Sequence, residues 1–151
     1  PKAKEVLQME ELNIEILYSS PSKRERLIFG TKDQAALLPY GKYWRLGANA
    51  PTTISINKDV QFAGKELKSG VYCMYAVPNK DYWDITLNSK INSSGYRPPD
   101  ASFDVFTVAV PVNSTSNLAE QFSISLKESD LGASMTLKWD HLVTVIPIEI
   151  H

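Results

Sequence analysis

The segment Leu12-Asn13-Ile14-Glu15-Ile16-Leu17-Tyr18 sets the pattern for the whole chain, because an apolar side chain stands at every second position. Successive side chains of a β-strand point to opposite faces of its sheet, so this period predicts a strand with one face in the core. A segment that is apolar on both faces, 71–77, predicts a central strand. The alternation returns in further short segments along the chain, namely 54–57, 60–62, 83–88, 103–108, 122–127 and 133–139, and the segment 142–150 is apolar and β-branched almost throughout.

Helical patterning is confined to one place. Thr31 has the spacing of an N-cap with Gln34 three residues later, and Pro39 closes the segment, which predicts one short helix near 32–38. The alternating segments elsewhere in the chain predict an all-β fold, a single-domain antiparallel β-sandwich or flattened barrel of about eight or nine strands. We assign residues 1–10 to an N-terminal extension and 11–151 to one β domain.

Composition excludes several classes of function. Sixteen Lys and Arg stand against seventeen Asp and Glu, for a formal charge of −1, and no basic stripe gathers in the sequence. Nucleic-acid binding is therefore not expected. No apolar run reaches the length of a transmembrane helix. The single cysteine, Cys73, cannot form an intramolecular disulfide, and in its apolar surroundings it is typical of a small core residue.

The chain has no recognisable catalytic or metal-binding motif. Its two histidines, His141 and His151, show no metal-ligand spacing, and we predict no metal, no cofactor and no catalytic residue. A carboxylate-dependent reaction would need paired acids facing one cleft. The available pairs flank turns and strand starts, where Asp usually caps the backbone or is solvated: Asp81 with Asp84, and Asp100 with Asp104.

The segment 40–49, Tyr-Gly-Lys-Tyr-Trp-Arg-Leu-Gly-Ala-Asn, carries more polar chemistry than a plain strand needs. One interpretation is a buried Trp with an Arg bridge that fixes the register of the strands. The other is an aromatic-walled pocket in which Arg45 and Asn49 orient an anionic or hydroxylated ligand. The candidate ligand-binding residues are Tyr43, Trp44, Arg45, Asn49 and Tyr96.

The same segment carries a family resemblance. The motifs, in order along the chain, are Trp44-Arg45, Gly47-Ala48-Asn49, Thr52-Thr53-Ile54, a Gly64-Lys65-Glu66-Leu67 turn and Trp83. Their order resembles that of a bacterial domain-of-unknown-function family, number 2911. The resemblance runs from about Leu12 to Ile150. It implies an all-β domain that is carried behind an export signal in Gram-negative envelopes, without an established activity. Ala50 stands where the family usually carries an acidic residue, which argues against an enzyme.

We therefore predict an exported binding or interaction module of the cell envelope, located in the periplasm or at the cell surface. Its partner would be a small polar or carbohydrate ligand, or another envelope protein. Two alternatives stay open. One is a carboxylate-dependent enzyme that acts on glycan or peptidoglycan material. The other is a structural subunit that pairs through its sheet edges.

Overall fold

A computed structural model describes residues 1–92 and 94–150. Strands account for most of this described part and are joined largely by short turns. Their bounds are β1 Lys2–Gln8, β2 Asn13–Ser19, β3 Phe29–Gly30, β4 Leu38–Pro39, β5 Thr52–Ile56, β6 Val60–Phe62, β7 Lys65–Leu67, β8 Gly70–Pro78, β9 Tyr82–Asn88, β10 Asp104–Pro111, β11 Asn113–Ser129 and β12 Gly132–Ile150.

The strands form two antiparallel sheets that pack face to face. The larger sheet has the order β1-β2-β5-β8-β9-β10, and the smaller has the order β11-β12-β6-β7. Strands β3 and β4 form a separate short parallel pair. The sheets do not close into a barrel, so the predicted all-β sandwich is confirmed. As predicted from its apolar pattern, β8 is central, with β5 on one side and β9 on the other.

The core follows directly from the alternation in the sequence. In β2, Ile14 and Ile16 are buried, whereas Asn13 and Leu17 are exposed. Burial of a large aliphatic or aromatic side chain stabilises the fold by about 1.5–3 kcal/mol. At one end of the sandwich the core is aromatic, and its rings meet at centroid distances of 5.0–6.2 Å: Phe29, Trp44, Trp83, Phe122 and Trp139.

The predicted length of the helix near 32–38 is wrong. Thr31 and Gln34 do form the predicted capping box, but the helical part is a single 3-10 turn, Lys32–Gln34. Ala35 then takes a left-handed conformation with φ 58° and ends the turn. The physical reason is the parallel pairing of β3 with β4, which needs extended backbone from Leu38, where the Leu38 N–H bonds the Ile28 carbonyl.

Three further differences concern the strands. The segment 1–10, interpreted as an extension, contains β1, which pairs with β2 over seven positions from Lys2 to Gln8. The segment described above as a Gly64-Lys65-Glu66-Leu67 turn contains a short strand, β7, that pairs with β6. The two segments 133–139 and 142–150 are one strand, β12. The strand passes through a left-handed residue, Asp140 with φ 57°, at the break between the two segments.

An irregular loop follows β9. Residues 89–92 and 94–100 lack regular structure, and a 3-10 turn follows at Ala101–Phe103. Ser93 in this loop and the terminal His151 lie outside the described residues. Within the part of the chain that the structure describes, no helix has the length and apolar character needed to cross a bilayer.

Candidate functional site

The segment 40–49 runs along the edge of β8 beyond the end of β5. Trp44 pairs with Ala76 through two backbone hydrogen bonds of 2.7 and 2.8 Å. Alternation then directs neighbouring side chains to opposite sides. Trp44 enters the core with 3% of its surface exposed, whereas Tyr43 packs against Tyr75 with ring centroids 5.4 Å apart. One strand-like passage therefore joins the aromatic core to the outer face of the sheet.

Trp44 anchors this segment. Its ring meets four other aromatic rings, and its indole Nε1–H donates to the Gly47 carbonyl at 3.2 Å. Leu46 and Asn49 have φ values of 53° and 65°, the left-handed region that few residues other than glycine adopt. The Thr52 hydroxyl donates to the Leu46 carbonyl at 2.6 Å. The buried Trp expected from the sequence thus fixes a tightly turned loop that begins at Arg45.

Arg45 is half-buried and makes two contacts. Its Nη1 donates to the Asn49 carbonyl at 2.6 Å, and its guanidinium carbon lies 5.6 Å from the centroid of the Tyr96 ring. Among the residues that the structure describes, no carboxylate forms an ion pair with Arg45. The guanidinium is held in place by a backbone oxygen and an aromatic face, and its charge is not neutralised by an acid.

Arg45 lines a cleft of ≈ 390 Å³, which we call the Arg45 cleft. Four aromatic side chains contribute to it: Tyr43, Trp44, Tyr96 and Trp139. A second guanidinium, that of Arg26, also lines it. None of the described lining residues is an Asp or Glu. The remaining lining residues are apolar or small: Pro21, Leu37, Leu38, Gly47, Ala48 and Gly95.

The loop after β9 forms one wall of the cleft. The Tyr43 hydroxyl donates to the Gly95 carbonyl at 3.2 Å, and Gly95 is buried with φ 86°. A Cβ atom at Gly95 would lie 3.2 Å from Pro51 Cδ and 3.3 Å from both Cδ and Nη1 of Arg45. Only a glycine allows this approach without displacement. Tyr96, the next residue, remains 84% exposed at the mouth.

Arg26 and Trp139 were not singled out by sequence reasoning. The Arg26 Nε and Nη2 donate to the carbonyls of Lys23 and Ser22, at 3.0 and 2.7 Å. The sequence shows Arg26 only as part of the charged run 23–26, and nothing in that run places it in the same cleft as Arg45. Trp139 was assigned to an alternating strand, which is correct, but no sequence signal showed that its ring lies beneath a cleft.

The remaining sequence candidates lie elsewhere. Asn49 is exposed and is not among the residues lining the cleft, and its carbonyl is the group that contacts Arg45. None of the four paired Asp residues lines the cleft. Asp104 accepts hydrogen bonds from the Tyr75 hydroxyl at 3.0 and 3.1 Å and from Asn88 Nδ2 at 2.7 Å. Asp100 caps the 3-10 turn through Ser102, and these hydrogen bonds lower the pKa of its carboxyl.

Two tyrosines beneath the loop titrate far above their ordinary range. Burial raises the pKa of Tyr43 to about 12, with the neighbouring Cys73 adding to the rise and Arg45 opposing it. Burial also raises the pKa of Tyr75 to about 12, and its hydrogen bond to Asp104 acts in the same direction. Both phenols are therefore neutral near pH 7, and they act as hydrogen-bond donors within the protein.

Comparison with known proteins connects the chain to one family. The described residues contain no group of three or more His, Cys, Asp or Glu side chains arranged to hold a metal ion. No curated protein and no solved structure matches the chain. The family model described as "Protein of unknown function (DUF2911)" matches residues 1–148. The family suggested by the Trp-Arg-x-Gly-Ala-Asn segment is thereby confirmed, and the chain belongs to the DUF2911 family.

Proposed function

We propose that this protein is an exported module of the bacterial cell envelope that binds a small polar or carbohydrate ligand in the Arg45 cleft. The observation that carries the proposal is a guanidinium without an acidic partner, set among four aromatic rings. Ligand sites are typically concave and mostly apolar, with a few polar groups that fix the orientation of the ligand. The Arg45 cleft has this composition.

Four side chains of the cleft have distinct roles in this proposal. Trp44 supplies a rigid floor, and Tyr43 and Tyr96 supply side walls, of which Tyr96 is still open to solvent. An aromatic ring that is 84% exposed beside a cation is a surface on which a sugar or other ring can pack. Arg45 would orient the ligand through its unused N–H groups. Asn49 would act through its carbonyl, which positions Arg45.

Binding without catalysis is the version we favour. Of the two acid pairs that a carboxylate-dependent enzyme could use, Asp100 and Asp104 are engaged in structure: Asp104 with Tyr75 and Asn88, and Asp100 with Ser102. Neither faces the cleft. Export and envelope location are proposed from the family resemblance alone.

Thermal unfolding with a defined compound panel tests the proposal. The panel comprises neutral monosaccharides, amino sugars and uronic acids, and the proteins are wild type, Arg45→Ala and Arg24→Ala. Arg24 is a matched control, because it is an exposed arginine close to the cleft that does not line it. A ligand at one hundred times its Kd stabilises the native state by about 2.7 kcal/mol.

We expect at least one compound to raise the unfolding midpoint of wild type and of Arg24→Ala, and to leave Arg45→Ala unchanged. A panel without any stabilising compound contradicts the proposal. So does a compound that stabilises Arg45→Ala as well as wild type. If Arg45→Ala does not fold, the role of Arg45 is structural.

A further inference from the structure

We infer that the Arg45 cleft is a receptor for an oxyanion, a carboxylate, phosphate or sulfate carried by the ligand and held jointly by Arg26 and Arg45. This inference rests on the proposed function, since it narrows the ligand of the same cleft to one chemical class. It also adds Arg26 as a binding residue.

Most hydrogen-bond donors of the Arg45 guanidinium are unused. A guanidinium offers five N–H donors in a rigid fork that matches the geometry of carboxylate and phosphate. Arg45 uses one donor atom, Nη1, for the Asn49 carbonyl. In the described part of the chain, Nε and Nη2 of Arg45 have no hydrogen-bond acceptor. The backbone carbonyl therefore orients the fork and leaves most of it available.

Arg26 is held in the same manner. Its Nε and Nη2 donate to the carbonyls of Lys23 and Ser22, which fixes the side chain from one direction. Its Nη1 has no acceptor among the described residues. Two arginines that line one cleft, both positioned by backbone oxygens, present free N–H groups of a type that oxyanions accept.

The charge of the cleft is not balanced by its surroundings. The two guanidiniums line it without any Asp or Glu in the described lining. Asp140 follows the lining residue Trp139, but it is paired with Lys23 at 2.8 Å and both side chains are mostly buried. Glu120 accepts the backbone N–H of Arg24 at 2.9 Å, and the exposed Glu25 does not line the cleft. In a chain of net charge −1, this cationic cleft is a local feature.

The floor strengthens the attraction. Trp44 and Trp139 are 3% and 1% exposed, and their rings lie 26° from parallel at 6.1 Å. The charge of the half-buried Arg45 interacts more strongly with an anion than a charge in bulk water does, whereas Arg26 is exposed. The two tryptophans are also natural reporters, because each carries an indole N–H whose signal responds to a neighbouring anion.

Nuclear magnetic resonance tests the inference with simple anions. The intact 15N-labelled protein is titrated with sodium acetate, phosphate or sulfate at constant ionic strength, with sodium chloride as the reference salt. The signals followed are the Nε–H of the arginines and the indole N–H of Trp44 and Trp139. We expect at least one of the three anions to shift the signals of Arg26, Arg45 and both tryptophans along one saturable curve. Arg24 should not follow it.

Variants assign the two arginines. Arg26→Gln and Arg45→Gln should each weaken the anion affinity by about tenfold or more, as expected for loss of a charge-assisted hydrogen bond. Arg24→Gln removes the same charge outside the cleft and should leave the affinity within about twofold of wild type. Arg26→Lys retains the charge without the fork and should lie between wild type and Arg26→Gln.

The outcomes separate this inference from the proposed function. If none of the three anions gives a saturable shift, or if Arg24 shifts in parallel, the oxyanion receptor is refuted. In that case a neutral sugar that still stabilises wild type but not Arg45→Ala leaves the proposed function standing. Saturable binding that Arg26→Gln and Arg26→Lys leave unchanged refutes the role of Arg26. The anion that binds most tightly identifies whether carboxylate, phosphate or sulfate is preferred.

Discussion

Two polar clusters lie close together in this molecule, and they are completed in opposite ways. Around Asp104, one carboxylate accepts hydrogen bonds from Tyr75 and from Asn88, and the network is closed within the protein. Around Arg45, one guanidinium donates to a backbone carbonyl and leaves most of its donors unused. Tyr43 connects the two, because its ring packs on Tyr75 and its hydroxyl bonds the wall of the cleft.

The difference shows how to tell a structural polar cluster from a candidate binding site. A buried polar group without a partner is costly, so natural proteins pair such groups internally. The Asp104 cluster follows this rule and holds the loop after β9 to the sheet, since Asn88 also donates to the Asp100 carbonyl at 2.9 Å. Arg45 is half-buried and opens to solvent, where water or a ligand can complete it.

The largest expected effect comes from opening the closed cluster. Asp104→Ala removes the acceptor of the Tyr75 hydroxyl and of one Asn88 N–H, and both residues are at least nine-tenths buried. We expect a loss of about 2–4 kcal/mol in the free energy of unfolding, because two buried donors lose a charged acceptor. Urea denaturation at neutral pH measures it.

Asp84→Ala is the control for Asp104→Ala. Asp84 lies on the neighbouring strand β9 and forms no side-chain hydrogen bond or ion pair with the described residues. Its substitution should change stability by less than about 0.5 kcal/mol. Equal effects of the two substitutions would show that the Asp104 cluster is no more structural than any surface acid.

A smaller effect is expected at the wall of the cleft. Gly95→Ala places a Cβ against Pro51 and Arg45 at a φ of 86°. Gly64→Ala adds a Cβ at a similar φ of 84°, but no atom lies within 4 Å of it. Both variants lose about 1 kcal/mol from the left-handed backbone alone. Gly95→Ala should lose about 1 kcal/mol more through crowding. Thermal unfolding of the pair isolates the contacts with Pro51 and Arg45, and equal losses would mean that the loop does not pack on these two residues.

The contrast between the clusters also marks how far sequence alone can go. The period of two placed Ile14, Ile54 and Ile124 in the core correctly, because alternation depends on the geometry of a single strand. The same logic missed β1, since both of its faces are partly exposed and its side chains barely alternate in polarity. Nor could it show that β12 continues through Asp140, since a left-handed aspartate within a strand resembles a turn in sequence.

The candidate site was only half visible from the sequence for a related reason. Tyr43, Trp44 and Arg45 are neighbours along the chain, so their composition drew attention to them, and Tyr96 was named from its aromatic character. Arg26 reaches the same cleft through the tertiary fold, and no local pattern encodes that meeting. Most of the Arg45 N–H donors are unused because no carboxylate lies within reach of them among the described residues. Which acids lie near Arg45 is decided by the three-dimensional fold and is not visible in the sequence.

A further effect is expected in alkali, from Tyr75 of the closed cluster and from the neighbouring Tyr43. Tyr43 and Tyr75 have pKa values raised from 10.0 to about 12 in the folded state. Below pH 10 both are protonated in the folded and the unfolded protein, and their contribution is complete. As pH rises from 10 to 12 the unfolded state releases these protons first, so stability falls. Urea midpoints measured across this range should decline in wild type.

The decline in alkali can be assigned with one variant. Tyr75→Phe removes one of the two raised phenols, so its stability should fall less steeply between pH 10 and 12 than that of wild type. Tyr82→Phe, at a phenol that is 44% exposed, is the control and should keep the wild-type slope. Identical slopes in all three proteins would mean that Tyr75 ionises as easily in the folded state as in the unfolded state.

The smallest effect on stability is predicted for Arg45→Gln. The side chain loses one hydrogen bond to the Asn49 carbonyl and one contact with an exposed ring, and it leaves no buried carboxylate unpaired. We expect a loss below about 1 kcal/mol by urea denaturation, smaller than that of Asp104→Ala. Substitution of an arginine whose donors stabilise the fold should instead cause a large loss in the free energy of unfolding. A loss equal to that of Asp104→Ala would therefore place Arg45 among the structural groups, and the distinction between an open and a closed polar cluster would not hold for this protein.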